Sequence, residues 1–251
     1  MDNFYIEVHR MTDGNEMQNP GVVSSEKTLT LHTKEALKIF KGRKADPEND
    51  IREIAGLPIY ATMLKNIWRA CLSGDPYATW WIYKIEKLIK ESESDLKKLN
   101  NEIQNLIKPL DDRIDLSKSE ATNPVTVQIN YASPYMYKVT YLLIDIDRII
   151  ANMLTLKHMA IISPSAFDQY RKNATGAMNR TLLSFRGFKS TGVTIDDINK
   201  NNEKAQEAIK AMGQLPEIIL AGDYKPEFLP TQSKVKVMGF NKKPKPMEKN
   251  K

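Results

Sequence analysis

The chain has 251 residues, of which 41% are hydrophobic and 27% are charged, so it can bury one sizeable core or two modest ones. It has no apolar run near the roughly 18–20 residues that a membrane span needs, and the first residues lack the basic-then-apolar order of a secretory signal. We therefore expect a soluble cytoplasmic protein that does not bind membranes. With one cysteine and three histidines, the composition predicts no disulfide, no metal site and no cofactor.

The net charge of +6 is concentrated at one end of the chain. Between Lys234 and Lys251 there are seven lysines and one acidic residue, so residues 1–233 sum to zero. This composition is typical of a mobile basic tail, which we place at 222–251. We also place a flexible arm at 1–25, because that stretch is polar apart from one short alternating run. A specific binding site would then be a local patch on an electrically neutral body.

The first regular element is predicted at 27–32, where apolar and polar residues alternate as they do in a β-strand. Thr33 then has the chemistry of an N-cap, and a short helix follows over 34–41 and ends at Gly42. The outward set of this strand would be Thr28, Thr30 and His32.

The region 26–112 is otherwise predicted to be helical, with segments at 50–55 and 59–72 and a long amphipathic helix at 77–107. That last helix would be on the order of 45 Å long. Its apolar stripe needs a partner, either another helix of the same chain in a coiled-coil-like hairpin or the same helix of another subunit. The stripe consists of Trp81, Ile85, Leu88, Ser92, Leu96, Leu99, Ile103 and Leu106. We assign the tryptophans, Trp68, Trp80 and Trp81, to core or interface packing rather than to base stacking.

A linker at 113–123 separates this region from a second one at 124–221. The second region opens with strict alternation over 125–131, which predicts a strand. Ser-Pro pairs then start a helix that runs to about residue 158 and another that runs to about residue 183. A capping box at Thr194 opens one more polar helix, which Gly213 closes. The outward residues of the strand would be Thr126, Gln128 and Asn130.

The order strand, helix, helix over 124–184 is the order of a ribbon-helix-helix DNA-binding module. In such modules two chains pair their single strands, and the resulting ribbon lies in the major groove, where its outward side chains contact base edges. The amides of Gln128 and Asn130 can pair with adenine, and Thr126 offers a methyl group or a hydroxyl. We therefore predict an elaborated ribbon-helix-helix homodimer, mainly α-helical, that binds double-stranded DNA through these three residues.

A phosphate-binding surface is predicted next to the ribbon. The second helix of the module begins with free backbone N–H groups, and there is no acidic residue between Asp168 and Asp196. The predicted phosphate contacts are Ser163, Ser165, Arg171, Lys172 and Arg180, with Arg186 and Lys189 as additional candidates.

The segment 27–42 is a competing candidate for the ribbon, because its sequence also predicts a strand followed by a helix. Its weakness is the acidic stretch that follows, because Glu48, Asp50 and Glu53 would lie where phosphates approach. We favour 124–184, but the sequence leaves both segments open.

Catalytic interpretations receive little support. Asp145 and Asp147 lie about 200° apart around a helix and cannot hold one ion together, so we expect an Asp145–Arg148 ion pair instead. Tyr135, Tyr137 and Tyr141 lack the metal cluster that a nicking tyrosine needs, and no phosphate-binding glycine loop is present. We predict that the protein is not an enzyme.

Several runs of the sequence resemble a known family: EKTLTLHT (26–33), GLP (56–58), DPYATWW (75–81), ASPY (132–135), TGVTIDD (191–197) and MGQLPE (212–217). Together they are similar to the AcaB-type transcriptional regulators of conjugative plasmids and integrating conjugative elements. The resemblance covers about residues 25–220. It implies a dimeric DNA-binding regulator that activates conjugative-transfer genes, and an activator would also contact RNA polymerase. The alternative is a non-catalytic scaffold or adaptor of the transfer machinery that binds protein through the long helix.

Overall fold

The computed structural model describes residues 27–50, 53–110 and 123–229. In these ranges the protein is mainly helical, with two antiparallel sheets of two strands each. The predicted arm at 1–25, the tail beyond residue 229 and all but residue 123 of the predicted linker lie outside the described residues. The elements are β1 (Lys27–Leu31), α1 (Lys34–Lys41), β2 (Gly42–Arg43), a 3₁₀ turn (Pro47–Asn49), β3 (Ile54–Ala55), α2 (Leu57–Leu72), α3 (Pro76–Ile107), β4 (Val125–Ile129), α4 (Pro134–His158), α5 (Pro164–Leu182), α6 (Ile195–Lys200), α7 (Glu203–Met212) and α8 (Glu217–Leu220).

The two strands predicted as competitors are partners. β1 and β4 pair antiparallel, from Lys27 opposite Ile129 to Leu31 opposite Val125. The prediction that β4 pairs with its copy in a second chain is therefore wrong, because β1 of the same chain provides the partner strand. The physical reason is that α1 and α4 pack against each other and bring the two strands that precede them into register.

The long helix α3 packs within its own chain. Its buried stripe faces α2, α4 and α5, and Leu88 and Leu106 at the margin of the stripe are half-buried. Small residues at Ala174 and Ala177 of α5 allow a close approach, and the hydroxyl of Ser92 donates to the Ala177 carbonyl at 3.2 Å. Of the two predicted partners for this stripe, the structure provides helices of the same chain.

A buried carboxylate connects α4, the helix that follows β4, to the turn between β1 and α1. Asp147 of α4 is 4% exposed, and its oxygens accept hydrogen bonds from the backbone N–H groups of His32 (2.7 Å) and Thr33 (2.8 Å). The Thr33 hydroxyl also donates to Asp147 at 2.7 Å while accepting from the N–H of Ala36, so the N-cap of α1 is part of the same network. The neighbouring Asp145 forms the predicted ion pair with Arg148 at 2.7 Å on the surface.

Two glycines carry the chain from α1 to α2. Gly42 has a φ of +79°, and a Cβ on it would lie 2.3 Å from the backbone nitrogen of Gly56. A Cβ on Gly56 would lie 2.5 Å from the carbonyl of Lys41. The backbones therefore approach too closely for any side chain, which gives the glycine of the GLP run a structural role.

Two predicted elements differ from the structure. Residues 47–55 form a 3₁₀ turn and strand β3 rather than a helix at 50–55, in the part that is described. The predicted helix from Thr194 to Gly213 is two helices, because Asn201 adopts a left-handed conformation with a φ of 47° and Asn202 caps the second one.

The folded body also extends beyond the predicted start of the tail at residue 222. Tyr224 packs against Tyr83 and Phe228 against Tyr135, with ring centroids 5.0 and 5.1 Å apart. The buried Glu86 carboxylate accepts from the N–H of Glu227 at 2.8 Å and from the hydroxyl of Tyr135. Hydrophobic and hydrogen-bonding contacts therefore hold the chain to α3 and α4 as far as the described residues reach.

Asp147→Asn should lower the free energy of unfolding by about 2–4 kcal/mol, because the amide group replaces one acceptor oxygen with a donor that faces a backbone N–H. Asp145→Asn is the matched control. It breaks an exposed i,i+3 pair and should cost less than about 1 kcal/mol. Urea unfolding followed by circular dichroism measures both values. Equal losses for the two variants would show that Asp147 does not anchor the ribbon.

Candidate nucleic-acid interface

The β1–β4 ribbon presents one polar and one apolar face, because side chains alternate along each strand. The apolar face includes Leu29 and Leu31, which are buried in the core that includes residues of α1 and α4. Val127 and Ile129 are half-buried and pack against that core. Residues of the opposite parity are exposed. These are Thr28, Thr30 and His32 on the first strand side, and Thr126, Gln128 and Asn130 on the second.

The exposed face has a defined order along the ribbon. Thr28 lies opposite Gln128, and Thr30 lies opposite Thr126. The hydroxyls of Thr30 and Thr126 are 3.1 Å apart and form a cross-strand hydrogen bond. His32 and Asn130 follow the ends of the two strands and extend the same face in opposite directions. The structure thus brings the three predicted base-reading residues together with the three residues of the competing strand.

The face contains no acidic side chain among these six residues. A lysine begins β1, but it has the parity of the apolar face and lies opposite Ile129. Lys27 is exposed at the start of β1, with its ammonium 5.4 Å from the centre of the Tyr137 ring. The Tyr137 ring in turn packs edge-on against Tyr131. A surface of hydroxyl, amide and imidazole groups without carboxylates can approach a polyanion without charge repulsion.

The predicted phosphate contacts lie on α5, and several of them already have partners within the chain. Ser163 caps the helix by accepting from the N–H of Ala166 at 3.1 Å, and Ser165 is exposed beside it. Arg171 is paired with Asp168 at 3.1 Å, and Arg180 is paired with Asp95 of α3 at 2.8 Å. Lys172 is exposed.

The additional candidates lie beyond the end of α5. The Arg186 guanidinium donates to the carbonyl of Glu53 at 2.8 Å, and this bond joins the loop after α5 to the chain before β3. Lys189 is exposed. Neither residue is placed on the ribbon.

The length of α4 sets the distance between the ribbon and the start of α5. Asp147 marks the point where α4 meets His32, and the helix continues for eleven more residues to His158. At 1.5 Å per residue, that continuation is roughly 16 Å. The N-terminus of α5 therefore lies well to one side of the ribbon rather than directly beside it.

The middle of α5 is closer to the ribbon's supporting helix. Arg171 lines a cleft of about 180 Å³ together with Lys38 of α1 and Arg43 of β2. Glu35 is the acidic residue in the same lining. Only two residues separate β1 from α1, so this cleft lies between the basic part of α5 and the helix that follows β1.

The tryptophans are packed as predicted rather than presented for stacking. Trp68 and Trp81 are 6% and 4% exposed. The ammonium of Lys84 lies 3.6 Å from the Trp80 ring centre and 3.4 Å from that of Trp81, and burial there lowers the pKa of Lys84 to about 8. These rings are part of the core and its margin.

Sequence reasoning missed the joint role of the two strands and the function of Asp147. The signal for the first was present, since both segments alternate and both precede a helix.

The described residues contain no group of three or more His, Cys, Asp or Glu side chains that could hold a metal ion. Within the same residues, no helix is long and apolar enough to cross a bilayer.

Gln128→Ala should change the free energy of unfolding by less than about 0.5 kcal/mol, because the side chain is exposed on the outer face. Leu29→Ala on the inner face should cost about 2–4 kcal/mol, since Leu29 is 4% exposed in the core. Thermal unfolding of the two variants compares the faces directly. A large loss for Gln128→Ala would mean that the assignment of the outer face is incorrect.

Comparison with known proteins gives one family and one similar structure. The family described as "Transcriptional regulator AcaB" matches residues 19–232. The crystal structure of selenomethionine-containing AcaB from uropathogenic E. coli is 16% identical, with a TM-score of 0.49 over 79% of this chain and 95% of that one. The search of curated proteins found no match. Because the family match spans most of the sequence, including the ribbon and all the described helices, this chain belongs to the AcaB family of transcriptional regulators.

Proposed function

We propose that this protein is a non-catalytic, sequence-specific double-stranded DNA-binding regulator whose β1–β4 ribbon enters the major groove. The observation that carries the proposal is the exposed face of six polar side chains without a carboxylate on a two-stranded ribbon, in a chain that belongs to a family of transcriptional regulators. A two-stranded ribbon fits this groove, which is about 12 Å wide.

The chemistry of the face suits base recognition. Gln128 and Asn130 carry an amide donor and acceptor that can pair with N6 and N7 of adenine, and each threonine offers a hydroxyl or a methyl group to thymine. Leu29 and Leu31 hold the ribbon against the helices behind it, so the outer side chains are presented from a fixed support. Asp147 fixes the turn at which β1 becomes α1.

We assign the phosphate contacts to α5 and its surroundings. Lys172 and the N-terminus of α5 at Ser163 and Ser165 are exposed and need no rearrangement. Arg171 and Arg180 would have to exchange their present carboxylate partners for phosphates. Arg186 and Lys189 remain additional candidates. The lysine-rich segment 234–251 would add attraction that does not depend on the sequence.

The biological role that we propose is activation of conjugative-transfer genes in the cytoplasm, with RNA polymerase as the further partner. A homodimer stays part of the proposal for DNA that carries two sites, but it is not needed to complete the ribbon, since one chain contributes both strands. A second copy would instead place a second ribbon on the same DNA.

The adaptor alternative rests on the long helix α3. In the structure the apolar stripe of that helix is covered by α2, α4 and α5. Little of the stripe is left to bind a partner protein, so we favour DNA binding.

Gln128→Ala should weaken binding to the specific site by about 1–3 kcal/mol and relax the preference at one base pair, because it removes a paired donor and acceptor. Lys172→Ala should weaken specific and random duplexes alike and reduce the slope of log K against log salt by about one, because a phosphate contact carries no sequence information. Fluorescence anisotropy at several salt concentrations measures both. Equal losses of Gln128→Ala on specific and random duplexes would eliminate the ribbon as the reading element.

Deletion of residues 234–251 separates DNA binding by the folded body from binding by the tail. We expect the truncated protein to retain its preference for one sequence while its affinity for all duplexes falls, since seven lysines are removed. A gel-shift with specific and scrambled competitors tests this. Complete loss of selective binding would favour the adaptor interpretation.

A further inference from the structure

We infer that a single chain reads a non-palindromic DNA sequence, with β1 and β4 each contributing side chains to the recognition of both halves of the site. This inference rests on the proposed function of the ribbon. It assigns Thr28, Thr30 and His32 as specificity-determining residues and predicts that one orientation of the duplex is bound.

The two strands of the ribbon are related by an approximate two-fold rotation. The central pair in the register is Leu29 opposite Val127, and in an antiparallel pair a rotation about that centre exchanges the two strands. The rotation places Thr28 on Thr126, Thr30 on Gln128 and His32 on Asn130. In a ribbon made of two identical chains, each of these three pairs would be the same residue twice.

The three pairs differ in chemistry. The first pair is threonine in both strands. The second compares the hydroxyl and methyl of Thr30 with the amide of Gln128, and the third compares the imidazole of His32 with the amide of Asn130. One end of the outer face therefore carries Thr28, Gln128 and Asn130, which can bind adenine through two amides, while the other end carries Thr30, Thr126 and His32. Rotating the duplex by 180° would present each end with the bases suited to the other.

The supports behind the two strands differ as well. β1 leads into the eight-residue helix α1, whereas β4 leads into the 25-residue helix α4. Arg171, Lys38 and Arg43 surround one cleft on the side of α1. Backbone contacts on the two flanks are therefore not equivalent, and they reinforce a single orientation.

Selection from random duplexes by the full-length protein tests the inference, with base preferences determined for the unmodified chain and for four single variants. We expect a motif without two-fold symmetry. Gln128→Ala and Asn130→Ala should each reduce discrimination in one half by roughly 5–150-fold, and Thr30→Ala and His32→Ala should do so in the other half only. In a homodimeric ribbon, each single substitution would change two symmetry-related positions.

Sedimentation of the complex with a duplex that carries one selected site gives an independent measurement, and we expect one chain per duplex. All four side chains are exposed, so we expect every variant to fold, and circular dichroism of each variant checks this. A palindromic motif, symmetric changes in the variants or two chains per single site would overturn the inference while leaving DNA binding by the ribbon intact. Absence of any enriched motif, or variants that leave the motif unchanged, would overturn the proposed function itself.

Discussion

The arrangement of the ribbon depends on the hydrogen bonds around the Asp147 carboxylate. This buried carboxylate on α4 accepts hydrogen bonds from two backbone N–H groups and a hydroxyl in the turn between β1 and α1, more than a hundred positions away in the chain. A carboxylate is tolerated in the interior only where such donors surround it. The same contacts that satisfy it hold α1 on α4, and thereby hold β1 beside β4.

The helices behind the ribbon form a support built within one chain. α3 contributes the long apolar stripe, and α2, α4 and α5 cover it, with the hydroxyl of Ser92 bonded to α5 where the helices approach closely. The segment at 223–229 is held on α3 and α4 by Glu86 and two aromatic pairs. A ribbon on such a base can present its outer residues without a second subunit.

Most individual elements could be predicted from local chemistry. The alternation at 27–32 and 125–131, the caps at Thr33, Asp75 and Ser163, and the three-and-four spacing of the α3 stripe each correspond to an observed strand or helix. Predictions failed where local signals conflicted. The segment at 50–55 has a helical pattern, but the close backbone contact of Gly42 and Gly56 and the pairing of β2 with β3 give it a different path in the residues described.

The sequence by itself determined which side chains share a face, because the two-residue period of a strand and the 3.6-residue period of a helix are properties of the backbone. The tertiary structure alone decided which strand pairs with which. The hydrogen bonds between paired strands join backbone groups that are the same in nearly every residue, so the backbone of a strand does not specify which strand it pairs with. Here the packing of α1 on α4 selects β1 for β4, and it turns two candidate half-ribbons into one asymmetric ribbon.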